Sequence, residues 1–151
     1  MTRLWIMLLL AGMSMLTVPA LSSAGTPKIG DSYGGGIVCY VDSTGQHGLI
    51  AAKSDVTGHS AGKAEGYSTW YEAVEVANTF VEGYCDWVLP NKEQLNQLYL
   101  HRSAVGGFAD TIYWSSTEGD SNNAWGQNFV SGDQLIGRKS NGSHVRAVRT
   151  F

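Results

Sequence analysis

The spacing of apolar residues in this 151-residue chain changes period partway along, and that change restricts the fold to the mixed α+β class. After Thr69, the residues Trp70, Ala73, Val74, Ala77, Phe80 and Val81 recur at three- and four-residue steps, with Glu72, Glu75, Asn78 and Glu82 off the stripe. Thr69 and Glu72 have the spacing of a capping box, and Gly83 stands where a helix stop belongs. A second helix is expected after Pro90, capped by Asn91 with Gln94 three residues on, burying Leu95, Leu98 and Tyr99. From Ile112 onward the period is two. Strands are expected over 113–118, 124–130 and 134–139, then over 144–151 after the Asn141-Gly142 hairpin signal. The tail half thus reads as one antiparallel meander. Ahead of the helices, Ile37–Val41 and Gly48–Ala52 flank an Asp-Ser-Thr-Gly turn and read as a hairpin, while 53–67 reads as loop. The expected architecture is α+β: two amphipathic helices packed on a twisted antiparallel sheet with long loops.

The N-terminal region reads as an address. Arg3 precedes an apolar run from Leu4 to Val18, and Ser22-Ser23-Ala24 follows just before Gly25. That order is the layout of a cleaved secretory signal. A membrane anchor would need about 20 apolar residues; this run is shorter and is closed by Pro19. Residues 1–24 are therefore read as leader and 25–151 as one domain, secreted, periplasmic or at the cell surface, with no membrane insertion after cleavage. Among the 10 basic residues only Arg3 falls in the leader, leaving 9 against 13 acidic ones, so nothing in the balance attracts nucleic acid. Charged residues make up only 15%, and 19 Gly and 5 Trp accompany them, which excludes a disordered chain or a coiled coil. Export would put Cys39 and Cys85 in an oxidising compartment, where either a disulfide or two separate buried thiols fits the sequence.

Chemistry-bearing groups are concentrated late in the chain. His47, His59, His101 and His144 are scattered and there is no Gly-x-Ser-x-Gly, so the chain is not expected to be an enzyme. No cofactor is expected: the turn from Glu118 to Asn123 offers hard oxygen donors of the kind Ca²⁺ takes, but the ligand pattern of an EF-hand is missing and such a turn reads first as a solvated one. Asn122, Asn123, Trp125 and Gln127 combine amides with an aromatic face, the groups that hold sugars. Arg138, Lys139, His144 and Arg146 would lie on one folded ribbon and suit sulfate or carboxylate groups. Arg149 falls on the other face by alternation and is expected to be structural, bonded to a carboxylate or carbonyl.

The order of short motifs resembles a known family. Gly30-Asp31-Ser32-Tyr33-Gly34-Gly35-Gly36-Ile37-Val38 opens the domain, and Trp87-Val88-Leu89-Pro90-Asn91-Lys92-Glu93-Gln94-Leu95 follows. Tyr113-Trp114-Ser115-Ser116-Thr117-Glu118, Ala124-Trp125 with Phe129, and Val145-Arg146-Ala147-Val148-Arg149 complete the series. Together they resemble the Lcl C-terminal domain family, named for a collagen-like bacterial adhesin. The resemblance implies a C-type-lectin-like fold, related in shape to formylglycine-generating enzymes, and a role in adhesion; the namesake binds sulfated glycosaminoglycans. The chain carries no collagen-like Gly-x-y tract, so the namesake's trimeric stalk is not implied. The expected function is an exported carbohydrate-binding or adhesion module for sulfated or acidic glycans. The alternative is a protein- or peptide-binding module of a cell-surface assembly on the same scaffold. Partners are accordingly extracellular glycans or surface proteins.

Overall fold

The computed structural model describes residues 25–56, 66–78 and 83–151. The expected leader, most of the expected 53–67 loop, and Phe80, Val81 and Glu82 lie outside the described residues. The first hairpin forms as its turn residues require. β1 (Ser32–Tyr33) pairs with β2 (Gly36–Val41) across Gly34 and Gly35, whose φ values of 54° and 86° suit a tight hairpin turn that only glycine enters freely. β2 then pairs antiparallel with β3 (Gly48–Ala51).

Both expected helices are present. In α1 (Trp70–Asn78), Glu72 Oε2 accepts from the Thr69 backbone N–H at 2.9 Å and from its hydroxyl at 2.7 Å, while Ala73 and Ala77 are buried. α2 (Lys92–Leu100) has the full reciprocal box: Asn91 Oδ1 accepts from Gln94 N at 2.8 Å and Gln94 Oε1 accepts from Asn91 N at 2.9 Å. Leu95 and Leu98 are its buried positions. A single further turn, α3 (Arg102–Val105), extends it before Gly106.

β4 (Ile112–Glu118), β5 (Asn123–Asn128) and β6 (Gln134–Arg138) form a three-stranded antiparallel sheet, as the two-residue period implies. The terminal segment departs from the meander. The Asn141 turn does close, with Asn141 N donating to Arg138 O at 2.8 Å, but the chain does not return along β6. Ser143 bridges Ser68, His144 bridges Tyr113, and β7 (Val148–Thr150) pairs with β3 in the other sheet, giving the order β1-β2-β3-β7. The physical reason lies in the run Val145-Arg146-Ala147-Val148, which is buried at every position. A ribbon with one wet face alternates; a segment buried on both sides crosses a core. The single sheet expected from the sequence is therefore two.

Alternation along β2 and β3 sends Val38 and Ile50 to one apolar cluster and Cys39, Leu49 and Ala51 to another. The first cluster adds Trp87, Leu89, Trp114, Val145 and the α1 alanines; the second adds Leu95, Leu98, Val105, Tyr113 and Phe129. The four-stranded sheet thus has a packed layer on each face. Among the described residues, no helix is long and apolar enough to cross a membrane.

The cysteines do not pair. Cys39 is fully buried with its thiol donating to Leu49 O at 3.3 Å, whereas Cys85 is exposed on the segment leading into Trp87; both are free. β2 turns Cys39 inward toward α2, so its sulfur is enclosed by the second cluster. Burial pushes that thiol up to about 12.

Candidate functional site

The polar cleft of interest is assembled where the β4–β5 turn, the end of β6 and the start of α1 converge. Asp120 organises the turn: its carboxylate accepts from the backbone N–H of Asn122 at 2.8 Å and of Asn123 at 2.9 Å, and from Asn123 Nδ2. These bonds, led by the Asn123 side chain, hold the Asp120 carboxyl below its usual value. β5 pairs Asn123 with Arg138, and Lys139 N donates to Asn122 O at 2.9 Å, which carries the pairing one residue beyond β6.

α1 is tied to the same place by its first residue. Trp70 N donates to Lys139 O at 2.9 Å, and Trp70 Nε1 donates to Ser115 O at 2.8 Å in β4. Tyr71, the next residue, is consequently held over the end of β6 with 59% of its surface exposed. Tyr71, Asn122, Asn123, Arg138, Lys139 and Ser140 line a cleft of about 440 Å³.

Lys139 is buried, with its ammonium on the Glu118 carboxylate, 3.3 Å from Ser121 O and 4.5 Å from the Trp70 ring centroid. Glu118 keeps 57% of its side chain in solvent. Lys139 is thus a wall already neutralised from within. Arg138 is exposed and makes no ion pair among the described residues, so it is the free cation of the cleft.

Four of the eight expected ligand residues therefore meet: Asn122, Asn123, Arg138 and Lys139. The other four are placed elsewhere. Trp125 is half-buried and capped by Lys92, whose Nζ lies 3.4 Å from the ring centroid. Gln127 is fully buried; its Nε2 donates to Asn96 Oδ1 at 2.9 Å and to Gly132 O at 3.0 Å, fastening the β5–β6 turn to α2. The amide that read as a sugar contact is a structural clamp. His144 sits with Nδ1 3.0 Å from Asp55 Oδ2 and its ring edge-on to Tyr67. Arg146 is fully buried: Nε donates to Asp55 Oδ1 at 2.7 Å, Nη1 to Ala52 O and Gly106 O, and Nη2 to Gly107 O. The expected cationic ribbon is dispersed because the tail crosses the core instead of pairing with β6, and because Asp55 and Glu118 neutralise its members. Arg149 behaves as expected, gripping Asp86 through two bonds of 2.8 and 2.9 Å and Gly34 O at 2.9 Å.

Sequence reasoning missed Tyr71 and Ser140. A signal for Tyr71 was present: it is a large ring standing off the apolar stripe of its own helix, where a buried role is not open to it. Ser140 carried no signal beyond its neighbours.

The family model described as the Lcl C-terminal domain matches residues 46–149. A search of curated proteins finds no match.

Proposed function

The chain belongs to the Lcl C-terminal domain family, and on that premise we propose that it is an exported, non-enzymatic carbohydrate-binding and adhesion module of C-type-lectin-like fold. The observation that carries this reading is the cleft walled by Tyr71, Asn122 and Arg138. An exposed ring suits the C–H face of a sugar, an amide suits its hydroxyls, and a guanidinium fork suits a carboxylate or sulfate. The same inventory narrows the ligand. With Lys139 neutralised by Glu118 and with Arg146 and Arg149 spent inside the fold, Arg138 is, among the described residues that line the cleft, the cation left to meet an anion. The ligand class is a glycan presenting a single acidic group to the cleft, not a polyanionic chain spread along a basic stripe.

The purified protein should therefore bind an acidic oligosaccharide on a glycan array while eluting early from a heparin column. One exposed contact gives weak salt dependence. Arg138→Ala should reduce retention of the acidic glycan and of heparin alike, and Tyr71→Ala should weaken neutral and acidic glycans together. A folded protein that binds nothing on the array, or both variants binding as the parent does, would remove the proposal.

A further inference from the structure

A second cleft, of about 660 Å³, opens between one end of the four-stranded sheet and α2. Its floor follows from register. A register shift in β2 between Val38 and Tyr40 brings Tyr40 opposite Leu49, and Leu49 pairs with Thr150, so one cross-strand row sends three side chains to the same face. That face is the one covered by α2, since Leu49 packs in the cluster that contains Leu95 and Leu98. α2 supplies the wall: Glu93 and Gln97 are four residues apart and share a side of the helix. His47 closes the end.

Gln94 is held in the α2 capping box, but the other polar groups of the wall and floor are unspent. Among the described residues, the Glu93 carboxylate, the Gln97 side-chain amide and the Thr150 hydroxyl have no hydrogen-bond partner. In the first cleft, by contrast, Asn123 is committed to Asp120 and Lys139 to Glu118. Among the described residues no Lys or Arg lines the second cleft, and Lys92, the neighbour of Glu93, is turned onto the Trp125 ring. The result is an aromatic and aliphatic floor, with Tyr40 40% exposed, facing an unneutralised carboxylate. Anions are repelled from such a place. A cation on an apolar stem is attracted to both of its parts.

We propose that this cleft binds a basic side chain of a partner protein. Glu93 and the Tyr40 face hold the ammonium or guanidinium group, Leu49 supports the methylene stem, and Gln97 and Thr150 bond the adjoining peptide. A volume within the range of about 300–1,000 Å³ typical of ligand pockets accommodates that side chain with its flanking backbone. The site is separate from the glycan cleft, and either can fail without the other.

The test is a ¹H–¹⁵N NMR titration of the purified protein with acetyl-Leu-Lys-Leu-amide and, separately, acetyl-Leu-Glu-Leu-amide. With the lysine peptide, amide shifts should saturate at Tyr40, Leu49, Gln97 and Thr150; with the glutamate peptide those residues should not move. Glu93→Gln keeps the shape of the wall and should weaken binding about two- to fivefold. Tyr40→Ala should do so by about two- to fivefold as well. Absence of shifts at the four residues, equal response to both peptides, or unchanged affinity in Glu93→Gln would overturn the proposal. Saturation of the same residues by a neutral disaccharide but not by the lysine peptide would overturn it in favour of a second sugar site.

Discussion

Replacing Asp55 by alanine should damage this fold more than replacing any of its surface acids. One Asp55 oxygen accepts from Arg146 Nε at 2.7 Å; the other accepts from the Tyr113 hydroxyl at 2.6 Å and lies 3.0 Å from His144 Nδ1. Arg146 has no solvent exposure, so its charge has no water to fall back on. Burial, and then the neighbouring Asp55 carboxylate, raise the Tyr113 phenol above its ordinary value and keep it a neutral donor. Removing one partner of a buried ion pair costs about 3–5 kcal/mol. Two features set the loss at the lower end: Asp55 keeps 18% of its side chain in solvent, and Arg146 retains Ala52 O, Gly106 O and Gly107 O. The expected loss is about 3 kcal/mol, which in a domain of this size lowers the Tm by roughly 10 °C. Urea unfolding followed by tryptophan fluorescence reads it directly. The double variant Asp55→Ala, Arg146→Met should be about 1–3 kcal/mol more stable than the sum of its singles, because no charge is then stranded. A single variant within 1 kcal/mol of the parent, or strict additivity, would refute the account of Arg146 as a charge held by Asp55.

Three further outcomes follow from the same geometry. At the Lys139–Glu118 pair the buried member is the cation, so Glu118→Ala, which strands it, should destabilise by about 2 kcal/mol, and Lys139→Met by clearly less; urea midpoints in the reverse order would contradict the assignment. A thiol-reactive dye added to the native, reduced protein should label Cys85 alone, with Cys39 reacting only in denaturant, since burial holds the Cys39 thiol near 12; equal labelling rates would show that β2 does not enclose it. Asp42, Asp86 and Asp120 have carboxyls held below 3.8, led respectively by the Thr44 hydroxyl, the Arg149 guanidinium and the Asn123 amide. The folded chain therefore binds fewer protons than the unfolded one as these groups titrate. Their contribution is whole above the unfolded value and is lost as pH falls through the lowered folded values. The urea midpoint should drop with acid from about pH 4 downward, less steeply in Asp86→Asn; a midpoint that rises over that interval would be inconsistent with these contacts.

What could be read from the residues was whatever a short window determines. Asn91 and Gln94 announce α2 because a capping box closes over four residues, and the alternation from Tyr113 to Arg138 announces three strands because each buries its own face. The route of the tail was hidden. Asn141-Gly142 turns the chain, but whether 144–150 then lies on β6 or on β3 depends on Leu49, Ile50 and Ala51, a hundred residues earlier. The error over Arg146 follows from that one. On a two-strand ribbon its position reads as a solvent-facing cation, whereas in the core crossing it becomes the guanidinium that Asp55 and three carbonyls enclose. Gln127 was misjudged for a related reason: its partner Asn96 belongs to α2, and no spacing rule links a strand amide to a helix packed on it.

The seam made by residues 143–150 also sets a timetable. Ala52 N waits for Ala147 O, Val56 N for Val145 O, and Val88 for Val148, so two separated stretches lack partners until that late segment exists. A ribosome delivering the chain from its start can complete the capped helices early but cannot shut the first sheet until residue 150 has emerged. Nascent protein therefore carries an open strand edge at β3 until the tail arrives, an edge that chaperones would have to guard.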